Sequence, residues 1–274
     1  MKKQPIQILK LAVSCAILVA VANSTEANAI EVWSQGFETD TAGWLDDDDF
    51  AGFGDASRVP SGTGGIASNE GSFHGLFADD AGGTGPFTRF DGYRDTWTGG
   101  FTASIDVYLD TNWANGEGFD YSVAANGSDG DHQRDFVFHV TKDTSSGDLL
   151  VGGSNNTNFA PREDLETIDN YSILTTGWYT LEHVFRDAGD GTLAVDLNLR
   201  DSGGALLFTE TRNDGSDVIA TEVGGNRYGW FTDISVSGGI NVDGHTLSVI
   251  PEPTALALAG LGVCGLALGR RRKQ

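Results

Sequence analysis

Hydrophobic and polar residues alternate with a period of two over much of the chain between residues 101 and 249. The apolar members of residues 101–109 are Phe101, Ala103, Ile105, Val107 and Leu109. The same alternation recurs in residues 119–123, 136–140, 179–185, 193–199 and 228–236. A period of two is typical of a half-buried β-strand, whereas an amphipathic helix needs a period of 3.6. The pattern predicts strands, and only residues 161–170 favour a single short helical turn.

Glycine is the second constraint on the fold, with 38 residues in a chain of 274. Turn-forming pairs separate the alternating segments: Asn126-Gly127, Asp129-Gly130, Asp190-Gly191, Gly203-Gly204, Asp214-Gly215 and Asp243-Gly244. Such pairs supply the positive φ angles of tight turns, and they make residues 178–211 read as a three-stranded meander. Many short strands without helices predict an all-β, two-sheet antiparallel β-sandwich of jelly-roll type. We expect one such domain over residues 30–250.

The N-terminal segment has the three parts of a secretory signal peptide. Lys2, Lys3 and Lys10 precede an apolar run over residues 11–22, and Ala27 and Ala29 form an A-x-A cleavage site. We predict that residues 1–29 are a signal peptide and that the mature chain begins near Ile30. A buried N-terminal helix is the alternative. A lipoprotein signal is disfavoured because Cys15 lies inside the apolar run.

The C-terminal segment also has three parts. Pro251, Glu252 and Pro253 precede an apolar stretch over residues 254–269, and Arg270, Arg271, Arg272 and Lys273 follow it. The stretch is shorter than the roughly 20 residues of a full membrane span. We expect it to form a hydrophobic helix that inserts transiently in the inner membrane, with the basic cluster on the cytoplasmic side.

This order of parts over residues 251–274 resembles the PEP-CTERM sorting signal of Gram-negative bacteria. The resemblance implies recognition by an exosortase, a membrane-embedded, transpeptidase-like protease. It implies that Pro251, Glu252 and Pro253 are the recognised residues and that the arginines are the retention signal. It also implies delivery to the cell surface or the extracellular space. The alternative is a membrane anchor that is never cut.

Charge and cysteine placement exclude several functions for the body of the protein. The formal net charge of the chain is −22, and residues 30–250 alone carry 37 acidic and 10 basic groups. Such a surface repels phosphates, so nucleic acid and anionic lipid surfaces are unfavourable partners. The two cysteines, Cys15 and Cys264, lie in the terminal segments. The body therefore has no disulfide, cysteine zinc cluster or thiol nucleophile.

Two short phrases in the body resemble known sandwich families. Residues 36–44, GFETDTAGW, resemble the first strand of secreted carbohydrate-binding jelly rolls. Residues 176–179, TGWY, resemble a strand of laminin-G and concanavalin-like sandwiches. These resemblances imply a carbohydrate-binding type of sandwich.

No catalytic motif stands out. One glycoside hydrolase family of concanavalin-like fold uses Glu-x-Asp-x-Glu, which this chain lacks, and Glu38 with Asp40 has no third carboxylate. Neither HExxH nor G-x-S-x-G occurs, and the sequence leaves open a Ser-His-Asp triad whose members are far apart. His139 and His183 interrupt strands and are interpreted as hydrogen-bonded structural histidines. We therefore expect that the protein is not an enzyme.

Two acidic turns are candidate calcium sites, because Ca²⁺ prefers clustered carboxylate and carbonyl oxygens. The first contains Asp129 and Asp131 in NGSDGD, and the second contains Asp187 and Asp190 in DAGDG. The first resembles half of a calcium loop without the terminal glutamate. Ordinary solvated turns are the alternative for both, so Ca²⁺ is an open cofactor hypothesis.

Five aromatic residues are candidates for sugar binding, because the apolar face of a pyranose stacks on an aromatic ring. They are Tyr93, Trp97, Trp113, Tyr228 and Trp230. Core packing is the alternative reading for each of them.

Together these patterns predict an exported, non-catalytic protein of the cell surface or extracellular matrix that binds polysaccharide, for example exopolysaccharide. Two alternatives remain open at this point: an extracellular polysaccharide hydrolase and a purely structural matrix protein.

Overall fold

The computed structural model describes residues 30–49, 51–90, 92, 100–126, 132–156, 159–218 and 228–249. Residues 30–249 form one compact unit. Its strands form two antiparallel sheets, which are named sheet I and sheet II below. The predicted signal peptide and the predicted sorting signal lie outside the described residues.

Sheet I has eight strands in the order β13-β12-β11-β6-β15-β4-β3, and β1 also pairs with β15. The strands of sheet I are β1 (Ile30–Gln35), β3 (Asp55–Pro60), β4 (Phe73–Ala78), β6 (Phe101–Leu109), β11 (Gly177–Asp187), β12 (Thr192–Asp201), β13 (Leu206–Val218) and β15 (Ile240–Val249). β1 pairs with residues 245–249 of β15 and β4 with residues 240–242, so both lie along the edge of β15 that is opposite to β6.

Sheet II has seven strands in the order β10-β9-β8-β7-β14-β5-β2. The strands of sheet II are β2 (Trp44–Leu45), β5 (Thr84–Thr88), β7 (Gly118–Asn126), β8 (His132–Lys142), β9 (Leu149–Asn155), β10 (Asn170–Ile173) and β14 (Gly229–Thr232). The predicted all-β, two-sheet antiparallel sandwich of jelly-roll type is therefore confirmed.

Alternation along the strands builds the core between the sheets. Phe101, Ile105 and Leu109 of β6 are fully buried, and the residues between the apolar positions of this strand are partly exposed. Across the core, Phe119 and Phe231 come from sheet II, with ring centroids 5.7 Å apart. Because side chains of a strand alternate between faces, the polar residues next to these core positions lie on the outer faces of the sheets.

The predicted meander is confirmed, since β11, β12 and β13 follow each other and pair antiparallel, with two register shifts between β12 and β13. The segment expected to hold one helical turn contains a four-residue helix, α1 (Ala160–Glu163), and a 3₁₀ turn (Leu165–Thr167). In the described part of the chain no helix is both long and apolar enough to cross a membrane.

The expectation that residues 36–44 form a first strand is wrong. Residues 36–43 connect β1 of sheet I to β2 of sheet II, which begins at Trp44, and the first strand is Ile30–Gln35. Side-chain hydrogen bonds hold this loop: Phe37 N donates to Gln35 Oε1 (2.7 Å) and Ala42 N donates to Asp40 Oδ1 (3.0 Å). Phe37 has a φ of 56° and Gly43 a φ of 91°, which a strand does not permit.

Two histidines are buried in the core. His183 Nε2 donates to the Phe136 carbonyl at 3.0 Å, and His245 Nε2 lies 3.1 Å from the Tyr121 hydroxyl. The Nδ1 atoms of both rings are buried without a hydrogen-bond partner. Burial lowers the pKa of each imidazole to about 3, because a charged ring is disfavoured away from water. The interpretation of His183 as a structural histidine agrees with this placement.

These histidines predict a pH-dependent stability. Above pH 6.5 neither state binds a proton on them, so stability is unaffected. Below about 6.5 the unfolded chain binds protons that the folded chain excludes, and each histidine lowers the free energy of unfolding by about 1.4 kcal/mol per pH unit until the pH approaches 3. Urea unfolding between about pH 7 and about pH 4.5 measures this slope.

Two variants test which groups cause the slope. His245→Gln keeps a polar partner for Tyr121 but removes one titrating group, so its slope should be shallower. Burial raises the pKa of Asp79 to about 7. Since Asp79 gains its proton more readily in the folded state, it opposes the histidines as the pH falls, and Asp79→Asn should steepen the slope. Equal slopes in wild type and His245→Gln would contradict the assignment.

Candidate functional site

The outer face of sheet II carries a row of side chains that crosses four strands. Trp230 of β14 is the register partner of Ser122 of β7, and Ser122 is the partner of Val137 of β8. Val137 is in turn the partner of Ser154 of β9. Phe87 of β5 extends the row beyond Trp230. Ser122 and Val137 are buried, whereas Phe87, Trp230 and Ser154 are partly exposed.

Four partly exposed aromatic rings converge at one end of this row and are called the aromatic patch: Phe53, Phe87, Tyr228 and Trp230. Ring centroids are 5.3 Å apart for Phe87 and Tyr228 and 6.1 Å apart for Phe53 and Trp230. The indole N–H of Trp230 donates to the Gly85 carbonyl at 3.1 Å, which fixes the ring on the sheet. The patch is therefore a preformed aromatic surface.

Polar groups border the aromatic patch. The Tyr228 hydroxyl donates to Asp135 Oδ1 at 2.6 Å, and the His132 ring lies parallel to the Tyr228 ring. Burial and the neighbouring Asp135 carboxylate raise the pKa of Tyr228, so the phenol stays neutral. The Arg89 guanidinium lies 5.6 Å from the centroid of Phe87. Hydrogen-bonding groups thus stand beside the aromatic faces.

A hydrogen-bonded chain, called the polar triad, joins two residues of the next row, Asp120 and His139, to Ser154 of the first row. His139 of β8 is the register partner of Asp120 of β7. His139 Nδ1 lies 2.8 Å from Asp120 Oδ1, and His139 Nε2 lies 2.7 Å from Ser154 Oγ. Asp120 and His139 are fully buried.

Residues 159–165 cover the Asp120 end of the polar triad. Phe159 N donates to Asp120 Oδ2 at 2.5 Å, and Phe159 adopts a positive φ of 57° at the start of α1. Arg162 Nε lies 4.0 Å from Asp120 Oδ1, and the same guanidinium donates to the Asp233 carbonyl and to Ser235 Oγ. Burial lowers the pKa of Arg162, although Asp120 and other carboxylates oppose this shift.

A cavity of about 290 Å³ lies beside this cover. Phe159, Arg162 and Thr141 are among its lining residues. Thr141 belongs to the outer face of β8, two residues after His139. The cavity is separate from Ser154, which lies at the other side of the His139 ring.

The predicted sugar-binding residues divide into three groups. Tyr228 and Trp230 come together in the aromatic patch. Trp113 lies in a turn away from the patch, is partly buried against the core, and has its ring 6.3 Å from that of Phe119. Tyr93 and Trp97 lie outside the described residues.

The predicted calcium residues are similarly divided. Asp187 Oδ1 accepts hydrogen bonds from Gly189 N and Gly191 N, and Asp190 Oδ1 accepts from Thr192 N and Oγ1. These carboxylates cap their own turn. Across the described ranges, no three His, Cys, Asp or Glu side chains are grouped so as to hold a metal ion. Asp129 and Asp131 lie outside the described residues, and calcium binding stays a prediction.

Sequence reasoning did not identify Phe53, Phe87, Asp120 and Ser154 as site residues. Alternation in residues 119–123 already places Asp120 opposite to Phe119 and Tyr121, and so on an outer face. Strand order was the missing information, because β8 and β9 bring His139 and Ser154 beside Asp120 only after the sheet is assembled.

One pair of carboxylates lies on the outer face of sheet I. Asp106 of β6 and Asp243 of β15 are register partners. Burial raises the pKa of Asp106, and it raises that of Asp243 to about 6. Asn69 Nδ2 and Thr180 Oγ1 donate to Asp106, and Glu70 N donates to Asp243. These donors hold the pair in place as a structural cluster.

Residues 249–273 match the family described as the PEP-CTERM protein-sorting motif. The chain therefore carries a sorting motif that implies export and membrane-associated sorting in Gram-negative bacteria. Pro251, Glu252, Pro253 and the arginines 270–272 lie within the match but outside the described residues. The predicted signal-peptide cleavage residues, Ala27 and Ala29, also lie outside the described residues. No curated protein sequence matches the chain.

Several solved structures are similar to the body. The CBM2 module of the evolved Dit protein of Lactobacillus casei BL23 phage J-1 is 12% identical, with a TM-score of 0.44, 82% of this chain covered and 98% of that one. A conserved carbohydrate esterase from Shiga toxin-encoding bacteriophage phi24B is 16% identical, with a TM-score of 0.49 and coverages of 81% and 99%. The PL-14 alginate lyase from Aplysia kurodai is 11% identical, with a TM-score of 0.41 and coverages of 82% and 100%.

Burial of Arg162 predicts a large effect of its removal. Arg162→Met leaves the Asp233 carbonyl and Ser235 without this donor and takes a positive charge from beside Asp120, so we expect a loss of about 3 kcal/mol in the free energy of unfolding. Arg186→Met is the matched control, because that side chain is 40% exposed and pairs with Asp196 at the surface, whereas the side chain of Arg162 is 2% exposed.

The control should cost about 1 kcal/mol or less. Urea unfolding of both variants measures the difference. Equal losses in Arg162→Met and Arg186→Met would show that the cover over Asp120 is not held by its buried guanidinium.

Proposed function

We propose that this protein is an exported glycan-binding sandwich whose binding surface is the aromatic patch on the outer face of sheet II. The observation that carries the proposal is the convergence of Phe53, Phe87, Tyr228 and Trp230 on one partly exposed surface. An apolar pyranose face stacks on such rings, and Trp and Tyr supply a large contact area at little entropic cost.

Polar groups at the rim of the aromatic patch would orient a bound sugar. Asp135 and His132 lie beside Tyr228, and the Arg89 guanidinium lies over Phe87. Sugar hydroxyls both donate and accept hydrogen bonds, so acceptor carboxylates next to donor cations suit them. The proposed binding mode therefore combines ring stacking with hydrogen bonds at the rim of the patch.

The negative charge of residues 30–250 favours some classes of polysaccharide as ligands over others. Residues 30–250 carry 37 acidic against 10 basic groups, which repels polyanionic polymers such as polyuronates. We therefore expect neutral or amino-substituted polysaccharides to bind more tightly than uronate polymers. The sequence-based expectation that the protein is not an enzyme stays a prediction, and the ester hydrolysis proposed below is the hypothesis that competes with it.

The sorting motif supplies the delivery route of the proposal. Residues 249–273 carry the PEP-CTERM motif. We propose that an exosortase-type protease cuts near Pro251-Glu252-Pro253 after a signal peptidase removes residues 1–29, and that the body is released at the cell surface. Ile30 is the register partner of Val249, so strand pairing brings the two predicted ends of the mature chain together.

Loss of an aromatic ring should weaken glycan binding. We expect Trp230→Ala to lower the affinity of the full chain for a neutral polysaccharide about five- to thirtyfold, since a stacked aromatic ring contributes about 1–2 kcal/mol. Affinity gel electrophoresis with immobilised neutral and uronate polymers measures the change. Tyr228→Phe should keep most of the binding, because it retains the ring.

Trp178→Ala is the matched control for this experiment. Trp178 is also a partly exposed tryptophan, but it lies on β11 of sheet I, where its ring contacts His74 and Tyr108. The control should leave the mobility shift unchanged. If Trp230→Ala and wild type migrate alike in every neutral polymer tested, the proposed surface is wrong.

Cleavage at both termini predicts a mature chain with a defined first and last residue. Intact-mass measurement of the protein from its native cells should give a chain that lacks residues 1–29 and the segment after the Pro-Glu-Pro motif. Joint substitution Pro251→Ala and Pro253→Ala should leave the tail attached and the protein in the membrane fraction, whereas Pro60→Ala in the body should not. A wild-type protein that retains Gln274 would contradict cleavage.

A further inference from the structure

We propose that Ser154, His139 and Asp120 form a nucleophilic site that hydrolyses carboxylic esters. The inference rests on the geometry of the polar triad and does not require the aromatic patch to bind a glycan. Only the natural substrate class depends on the proposed function.

Hydrogen-bond directions in the polar triad are determined by its acidic end. Asp120 accepts from Phe159 N on one oxygen and faces His139 Nδ1 at 2.8 Å with the other. An ionised carboxylate only accepts, so Nδ1 carries the hydrogen. The lone pair of Nε2 is then directed at the Ser154 hydroxyl, 2.7 Å away. This is the tautomer that a general base needs in order to take a proton from a serine.

Burial is graded along the polar triad. Asp120 and His139 are at 0% relative exposure, whereas Ser154 is partly exposed at the end of β9. A buried carboxylate stabilises an adjacent imidazolium more strongly than a solvated one does, because the surroundings screen the charges less. The proposed nucleophile Ser154 is therefore accessible to solvent, whereas His139 and Asp120, which would activate it, are buried.

A second serine-histidine chain provides an internal comparison. On sheet I, Ser68 Oγ lies 3.0 Å from His74 Nδ1, and His74 Nε2 lies 2.9 Å from Asn241 Oδ1. The third group there is a neutral amide, which orients the ring but adds no negative charge to stabilise an imidazolium. Burial lowers the pKa of His74. We therefore expect Ser68 to be unreactive and Ser154 to be reactive.

The reaction proceeds in two balanced steps. Ser154 Oγ attacks the ester carbonyl carbon while its proton moves to His139 Nε2, and the ester C–O bond breaks as the leaving alkoxide takes that proton. Water then gives a proton to His139 and attacks the acyl carbon, which releases a carboxylic acid and returns the proton to Ser154 Oγ. The sum is ester plus water giving alcohol plus acid, so no cofactor is consumed.

The position of Ser154 on the sheet identifies the natural substrate class, and this identification rests on the proposed function. Ser154 and Trp230 belong to the same outer row and are separated by Ser122 and Val137. Three steps between neighbouring strands correspond to about 14 Å. A glycan held at the aromatic patch and long enough to span this distance would pass above the buried Ser122 and Val137 rather than contact them. An O-acyl substituent of a polysaccharide is therefore the ester that would reach Ser154.

A covalent probe and a small activated ester test the proposal on the purified full chain. We expect a fluorophosphonate to add one label, which peptide mapping assigns to Ser154. With p-nitrophenyl acetate, Ser154→Ala should lose at least about 100-fold in rate, and Asp120→Asn should lose a comparable factor because the imidazole tautomer is no longer enforced. Ser68→Ala is the matched control and should keep both labelling and rate.

The outcomes separate this inference from glycan binding. Trp230→Ala should keep p-nitrophenyl acetate hydrolysis even where it loses polysaccharide binding, since the small ester does not use the aromatic patch. Thermal melts show whether each variant is folded. If a variant does not fold, mapping of the label on the wild-type chain shows whether Ser154 is the reactive serine. A wild-type chain without label at Ser154, or a rate unchanged in folded Ser154→Ala, would overturn the proposal.

Discussion

Antiparallel pairing of β7 with β8 is the interaction on which the rest of the structure depends. Its register places Phe119 and Tyr121 against the core from one side of the sheet, and it places Asp120 beside His139 on the other side. A shift of one residue would exchange the two faces and bury the carboxylate among phenylalanines. The apolar core and the polar outer row are therefore two consequences of one register, and neither can change alone.

Buried histidines occupy two different settings: the core, which His183 and His245 enter from sheet I, and the outer face of sheet II, where His139 lies. His183 and His245 project into the core, where each imidazole has one hydrogen-bond partner and burial lowers its pKa to about 3. His139 is equally buried but lies between a carboxylate and a hydroxyl. A neutral ring is the low-energy form in the core. The same residue type is therefore a structural residue in the core and the central member of the proposed nucleophilic site on the outer face.

Strands with strict alternation of apolar and polar residues are predicted from the sequence alone. Alternation in residues 101–109 and 193–199 predicts β6 and β12, because a period of two is a local property that pairing only reinforces. Residues 36–44 were predicted as a first strand, but residues 36–43 form a loop, since the side chains of Gln35 and Asp40 hydrogen-bond to nearby backbone groups in place of a strand partner. Tyr228 and Trp230, which the sequence offers as candidate sugar-binding residues, lie on one surface. Phe53 and Phe87 join them only through the pairing of β14 with β5 and through ring contacts.

By itself the sequence determined the fold class, the acidic character of the body and the sorting motif, because strand periodicity, charge and short linear motifs are read from neighbouring residues. Only the tertiary structure decided which strands are adjacent, and hence that Asp120, His139 and Ser154 meet although 34 positions separate the first from the last. The physical reason is that backbone hydrogen bonds between strands are the same for every residue type. Strand order is instead selected by packing of the whole core, which no single segment encodes.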